Sequence, residues 1–317
     1  MAIPLRHVQG LHEIIGLYRG SGPFPHLSSL IAPLFRWLGR LSLPTLHRIG
    51  GAAGLLFCAL SPHFRKRIAG NMARALGRQP TTAEIRSNAM ETACMMFDLP
   101  YVWQRPLAKV LGHVIEVRGW DRVEALRARG EAMIILTPHL GCFEIISAYV
   151  GEHMPMTVLY RKPKQAAMEP LMIAGRKRGA IKLAPADLSG VRGLIRALRH
   201  GEAVGMLPDQ APGNGEGLWS PFFGKAAYTM TLAARLTEVQ NTHALIFWGE
   251  RVRGRGWRIH ISEPQEPITG TLEERVHAIN RNMETVIREC PSQYLWSYNR
   301  YKVPAGATPP AEESAAS

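Results

Sequence analysis

Cysteine is scarce in this chain: Cys58, Cys94, Cys142 and Cys290 are the four in 317 residues, with no CxxC pair and no Cys/His cluster. That scatter argues against a disulfide framework or a structural zinc site, and it suits a reducing compartment. Long apolar runs are missing too. The longest, Ile49–Leu60, has twelve residues, whereas a membrane span needs roughly 20. Residues 1–26 hold no apolar stretch of the secretory type. No GK[ST] follows a glycine-rich loop, so a nucleotide-cradling P-loop is not expected. No GxSxG is present, which disfavours a serine hydrolase of the nucleophile-elbow kind. Acidic residues are also few, 25 against 38 Lys plus Arg, a formal net charge of +13. Such an excess calls for an anionic partner: nucleic acid, anionic lipid or an acidic carrier protein. No zinc-finger, helix-turn-helix or RNP pattern supports the first of these.

What is present is an ordinary globular composition, 46% apolar and 20% charged, enough for one large core or two small ones. Residues 27–60 are apolar with scattered Arg, Pro and Trp. Such a segment lies in a bilayer interface or forms a buried helical hairpin; the first is the expectation here. Residues 62–110 read as helical, with Ile68, Met72 and Leu76 on one face and a start near Thr82. The period then changes. Strands are expected at 114–119, 131–139, 156–161, 203–209, 243–251 and 257–263, with helices at 171–179 and 188–201 between them. Alternation of this kind predicts an α/β fold, a mostly parallel central sheet flanked by helices. The domain plan is an N-terminal extension (1–26), a membrane-associating helical segment (27–60), the α/β domain (61–303) and a disordered tail (304–317).

The sharpest chemical feature is TPHLGCFEI, residues 137–145. His139 follows a strand buried on both faces, and Glu144 follows Gly141 at the expected start of a helix. Five positions turn a continuous helix by about 500°, which separates the two side chains. They meet only if His139 lies in the turn before the helix and Glu144 in its first turn, a geometry that Gly141 permits. His139 is then a candidate general base, with Glu144 as the carboxylate that holds its tautomer. A helix N-terminus beside it favours a developing oxyanion. A His and a Glu near a strand end also occur together by chance.

HLGCFE resembles the His-x4-Asp/Glu signature of glycerolipid-type acyltransferases. More specifically, the chain resembles the late acyltransferases of bacterial lipid A biosynthesis, the lauroyl/myristoyl transferase family. The further blocks that carry the resemblance are RKRIAGNMARAL (65–76), Tyr160-Arg161, PDQ (208–210), PFFGKAAYTM (221–230) and PSQYLWSYNRYK (291–302), in that order over about residues 30–303. The chain departs from the family pattern in the roughly thirty residues before its apolar segment and in having no long uninterrupted anchor. The resemblance implies transfer of an acyl group from acyl carrier protein to the 3-hydroxyacyl hydroxyl of a Kdo-bearing lipid A precursor. It implies no cofactor and no metal. The location implied is the cytoplasmic face of a bacterial inner membrane, held peripherally or monotopically on the anionic surface. An acidic carrier and a phosphorylated acceptor both suit the +13 charge. The main rival is a related acyltransferase with a lysophospholipid or another glycolipid as acceptor.

Other positions have two readings each. Arg161, at a strand end, meets a substrate phosphate or the thioester region, or is a surface Arg. Asp209 orients Arg161 or a polar substrate group, or caps a turn; Gln210 beside it is a weaker substrate contact. Gly213–Gly224 reads as a flexible wall of the lipid groove with Trp219, Phe222 and Phe223 as apolar contacts, or as ordinary loop packing. In residues 291–302, Tyr294 and Trp296 are assigned to the core, and Arg300 and Lys302 to contact with an anion.

Overall fold

Hydroxyl caps and prolines set the helix starts near the N-terminus. The computed structural model describes residues 25–163, 165–213 and 215–310, with side chains from residue 31 onward. Helix α1 (Pro25–Leu38) leads to α2 (Leu43–Leu60), whose cap Ser42 accepts a hydrogen bond from the Thr45 N–H. Ser61 does the same at the start of α3 (Pro62–Leu76), through the Phe64 N–H. Thr81 and Glu84 form a reciprocal capping box that opens α4 (Thr82–Gln104). Helix α2 packs on α4 through glycine. A Cβ on Gly54 would stand 2.3 Å from the Ala89 carbonyl oxygen, so only hydrogen allows this approach. By length and composition α2 could cross a membrane, but seven of its 18 residues are buried against the protein.

After the short α5 (Leu107–Leu111) come β1 (Val114–Arg118), α6 (Trp120–Ala128), β2 (Ala132–Leu136), α7 (Glu144–His153) and β3 (Met156–Tyr160). Next are α8 (Glu169–Arg176), β4 (Ile181–Pro185), α9 (Leu188–Arg199), β5 (Ala203–Met206), β6 (Gly217–Phe222) and β7 (Lys225–Met230). The chain continues through α10 (Leu232–Leu236), β8 (Thr242–Val252), β9 (Gly256–Ser262) and α11 (Leu272–Glu289). Seven strands form one sheet in the order β1-β9-β8-β2-β5-β3-β4. Neighbours from β8 to β4 are parallel; β9 joins β8 antiparallel and β1 follows β9 in parallel. The fold is therefore α/β with a mostly parallel central sheet flanked by helices.

The sheet separates two apolar layers. Ile134 and Leu136 of β2 face Leu194, Met283 and Ile287, whereas Met133 and Ile135 face Ile145 and Val150. All five β2 residues are buried, which explains why this strand reads as a continuous apolar run. Truncating one of them, such as Ile134 to Ala, costs about 2–5 kcal/mol by the usual core scale.

Absent from the expected list were α6, β4, α10, α11 and the antiparallel β6–β7 pair. The last replaces the expected flexible groove wall. Its two-residue turn, Phe223–Gly224, has both φ values positive (47° and 72°), the geometry that lets a hairpin match strand twist. Phe222 and Phe223 are 1% and 6% exposed and belong to the core, so they are not groove-lining contacts. The Phe223 N–H donates to Glu284 on α11, and Asn280 donates to the Pro221 carbonyl, which fastens the hairpin down. The expected N-terminal extension lies almost wholly outside the described residues, as do 311–317 of the expected tail; within 304–310, the Thr308 carbonyl accepts a bond from the Trp219 indole.

Candidate active site

Register brings the site together. Strands β2 and β5 are neighbours, and Leu136 is paired with Met206. Three residues further along each chain stand His139 and Asp209. The Asp209 carboxylate takes both available N–H groups of His139: Oδ1 lies 2.7 Å from the ring Nδ1, and Oδ2 accepts from the backbone N–H at 2.9 Å. The ring proton is thereby held on Nδ1. Nε2 is the nitrogen left for chemistry, and no described residue hydrogen-bonds it. The His139 side chain is 17% exposed, its partner 1%, so the pair reaches solvent only through the imidazole. Burial pushes the Asp209 carboxyl up, but the charge of His139, its two hydrogen bonds and the charge of Arg300 outweigh this and hold it below the usual range.

Glu144 requires a correction. It lies in the first turn of α7, as its spacing requires, but its carboxylate does not hold His139. It accepts from the Trp103 indole at 2.9 Å and forms a buried ion pair with Arg176 of α8. The Arg176 guanidinium also lies over the Trp103 ring, 5.6 Å from its centre. Burial alone would lower the Arg176 pKa; Glu144 more than compensates and raises it. The imidazole instead has Asp209 at Nδ1 and Phe143 across its face, ring centres 5.0 Å apart.

The turn 139–142 is fixed from three directions. The C-terminal segment bonds it at both ends: the Leu295 N–H donates to the His139 carbonyl, and the Gly141 N–H donates to the Gln293 carbonyl. Strand β8 accepts from the Cys142 N–H through Gly249. Gly141 has φ 58°, and a Cβ there would fall 1.9 Å from the Gly249 oxygen. Finally, the fully buried Arg251 donates to the Gly141 carbonyl at 2.8 Å. Arg251 is held by Asp98 and Glu91, and Asp98 is also paired with His47 of α2 at 2.8 Å. The Gly254 N–H donates to His47 Nδ1, so it is His47 Nε2 that carries the proton given to Asp98. Helix α2 and the turn 139–142 are thus joined by one buried chain of polar groups.

The other expected site residues divide. Arg161 is exposed just past β3, the neighbour of β5, so the ends of three adjacent strands carry His139, Asp209 and Arg161. Ligand sites in such sheets lie beyond the carboxyl ends of the strands. Gln210 is half-buried, with no hydrogen bond among the described residues. Arg300 is not free to meet an anion. It is 3% exposed, donates to the Tyr228 carbonyl and the Thr229 hydroxyl, and lies under the Phe222 ring. Burial lowers its pKa, but its charge still acts on Asp209. Tyr294 and Trp296 are core residues at 3% and 2% exposure. Burial and the adjacent Asp209 charge push the Tyr294 hydroxyl well up, which keeps it a neutral donor. Sequence reasoning missed Arg251 and the two asparagines that hold the C-terminal segment. Asn71 donates to the Trp296 and Tyr298 carbonyls, and Asn88 to those of Ser292 and Tyr294. A polar Asn inside an apolar helical face was the available signal. Among the described residues no group of His, Cys, Asp and Glu could hold a metal ion.

The family described as bacterial lipid A biosynthesis acyltransferase matches residues 24–303. Similar curated proteins include a lipid A biosynthesis palmitoleoyltransferase of Escherichia coli, 25% identical over 59% of this chain and 61% of that protein. A lipid A biosynthesis acyltransferase of Haemophilus influenzae is 27% identical over 59% of this chain and 62% of its own length. The lipid A biosynthesis lauroyltransferase of Escherichia coli is 22% identical over 84% of this chain and 90% of its own. The chain spans about three fifths of the length of the first of these relatives. With most of the chain matched, from the N-terminal helices through the hydrogen-bonded C-terminal segment, the protein belongs to the bacterial lipid A biosynthesis acyltransferase family.

Proposed function

We infer that this protein moves a fatty acyl chain from the thioester of acyl carrier protein to the 3-hydroxyacyl hydroxyl of a Kdo-bearing lipid A precursor. The observation that carries the reading is the His139–Asp209 pair, in which Nδ1 is taken by the carboxylate and Nε2 is left without a partner among the described residues at the strand ends. In the reaction, Nε2 of His139 takes the acceptor hydroxyl proton as the oxygen attacks the thioester carbonyl. Asp209 stabilises the imidazolium that forms. Collapse of the tetrahedral intermediate breaks the C–S bond, and the imidazolium returns its proton to the departing thiolate. An ester and a free thiol result, and no cofactor takes part. Arg161, exposed at the next strand end, meets the acceptor phosphate or the thioester region.

The membrane surface is the outer side of α1 and α2. Leu34, Trp37, Leu55, Leu56 and Leu60 are 38–63% exposed there, with Arg36, Arg40 and Arg48 among them. An apolar face rimmed by cations suits a monotopic seat on the cytoplasmic side of the inner membrane. The same helices are buried on their other side, so α2 serves as floor of the fold as well as anchor.

The deciding experiment replaces His139 with Ala and measures acyl transfer from acyl carrier protein to detergent-dispersed precursor, with folding followed by circular dichroism. Loss of a general base lowers turnover about 10²–10⁴-fold. A well-folded variant with most of its activity refutes the assignment. Equal use of acyl-coenzyme A removes the carrier-specific part of it.

A further inference from the structure

At the far end of α2 a cavity of about 440 Å³ opens between α2, α3 and the start of α4. Its walls combine two chemistries. Leu55, Cys58 and Ile85 supply apolar surface, while Arg65, Lys66 and Arg86 supply three cations; no acidic residue lines it. The nearby acid Glu84 is already committed to Arg78 and to the Thr81 N–H. Arg65 is fixed in place because it donates to the Cys58 and Ala59 carbonyls at the end of α2. Those bonds use one nitrogen, Nη1, and leave Nε and Nη2 free to donate. Lys66 and Arg86 are exposed and form no ion pair among the described residues.

Three unneutralised cations around one cavity repel one another, and an anion relieves that repulsion. The cavity also adjoins the exposed leucines of α2, where Leu56 and Leu60 are 61% and 63% exposed. An occupant must therefore join an anionic head to an apolar body. Nucleic acid lacks the apolar body, and an acidic protein lacks a reason to meet exposed leucines at the membrane face. None of the lining residues hydrogen-bonds the catalytic turn 139–142.

We propose that Arg65, Lys66 and Arg86 form a binding site for the headgroup of a bilayer glycerophospholipid of net negative charge, separate from the His139 site. The proposal rests on the membrane reading given above. It gives that seat an orientation: the headgroup pins the end of α2 while Trp37 and the exposed leucines enter the interface. Each cation near an anionic surface contributes about 1 kcal/mol, close to a fivefold change in binding.

The test uses the full chain and vesicle flotation. Wild type is compared on pure phosphatidylcholine vesicles and on vesicles containing phosphatidylglycerol. Lys66→Gln/Arg86→Gln, both exposed positions, is the site variant; Arg65 is left intact because it caps α2. Arg192→Gln/Arg199→Gln on α9 is the charge-matched control. The expected result is an affinity on the order of 100-fold higher for the anionic vesicles, which the site variant lowers about 25-fold and the control little. An equal loss in the control reduces the effect to net charge and overturns the site. Equal wild-type binding to both vesicles also overturns the site while leaving the membrane reading intact; binding to neither removes the membrane reading itself. A competition arm separates sources. Short-chain phosphatidylglycerol should displace the vesicles at concentrations where inorganic phosphate does not, and equal displacement by phosphate would make the cavity a simple anion site.

Discussion

Asp209→Asn isolates the central claim, because the structure makes the amide fail in either orientation. The carboxylate accepts twice from His139, from Nδ1 and from the backbone N–H. Asparagine has one acceptor oxygen and one donor nitrogen. If the oxygen accepts from the backbone, the amide nitrogen faces Nδ1 and forces the ring proton onto Nε2. The base is then lost, although the shape of the site is unchanged. If the amide turns over, its nitrogen meets the backbone N–H as donor against donor, an unmade buried bond that costs about 1–3 kcal/mol. The electrostatic support for the imidazolium disappears in both cases. A wrong tautomer of this kind lowers turnover by about 10⁴-fold, equivalent to about 5.4 kcal/mol of barrier. The assay is single-turnover acyl transfer at saturating donor, with folding checked by thermal melting. Because Asp209 is buried behind the imidazole and does not meet substrate, the donor dependence should change far less than the rate. A folded Asp209→Asn enzyme within about threefold of wild type, set against the expected loss, would refute the pairing and return the role to Glu144.

Glu144→Gln leaves Arg176 buried without a counter-charge and should destabilise the fold by about 3–5 kcal/mol, whereas Glu144→Gln combined with Arg176→Met should recover much of that loss, as melting of both variants will reveal. Non-additivity of this size assigns Glu144 to holding α7 against α8; simple additivity removes the ion pair from the account. Gly141→Ala drives a Cβ into the Gly249 oxygen at a left-handed backbone position, with an expected cost of about 3 kcal/mol or more and loss of transfer, measured by denaturant unfolding and the same assay. Acid stability carries a sign that can be worked out. Asp98 and Asp209 are buried, which would raise them, yet Arg251 and His47 hold the first low and His139 the second. Their contribution is full above the unfolded carboxylate value and is lost as pH falls through the depressed folded one, so melting temperature should drop steeply below about pH 4. Asp209→Asn should flatten that slope, and an unchanged slope contradicts the assignment.

Much of this protein is legible in the chain itself. β2 is an uninterrupted apolar run because both of its faces are covered, and period-two and period-3.6 patterns mark most of the other elements. Thr81 and Glu84 announce the start of α4 by their spacing alone. His139 stands out because a histidine directly after a buried strand sits where such sheets hold their ligands. Strand β4 and the β6–β7 hairpin were not legible for a physical reason. Gly217–Met230 mixes glycine, proline and aromatics as a loop does, and it becomes a hairpin only because Asn280 and Glu284 of α11 receive it. The partner of His139 was the main decision left to tertiary structure. Local spacing offers Glu144, five positions away. The sheet order instead sets β5 beside β2, with Leu136 level with Met206, and so delivers an aspartate seventy positions distant. Arg300 likewise has the composition of a surface cation and is buried because the hairpin folds over it. Sequence determines which residues can do chemistry and which strands end beside them; the order of strands, a long-range choice made by packing two apolar layers, decides which of those residues meet.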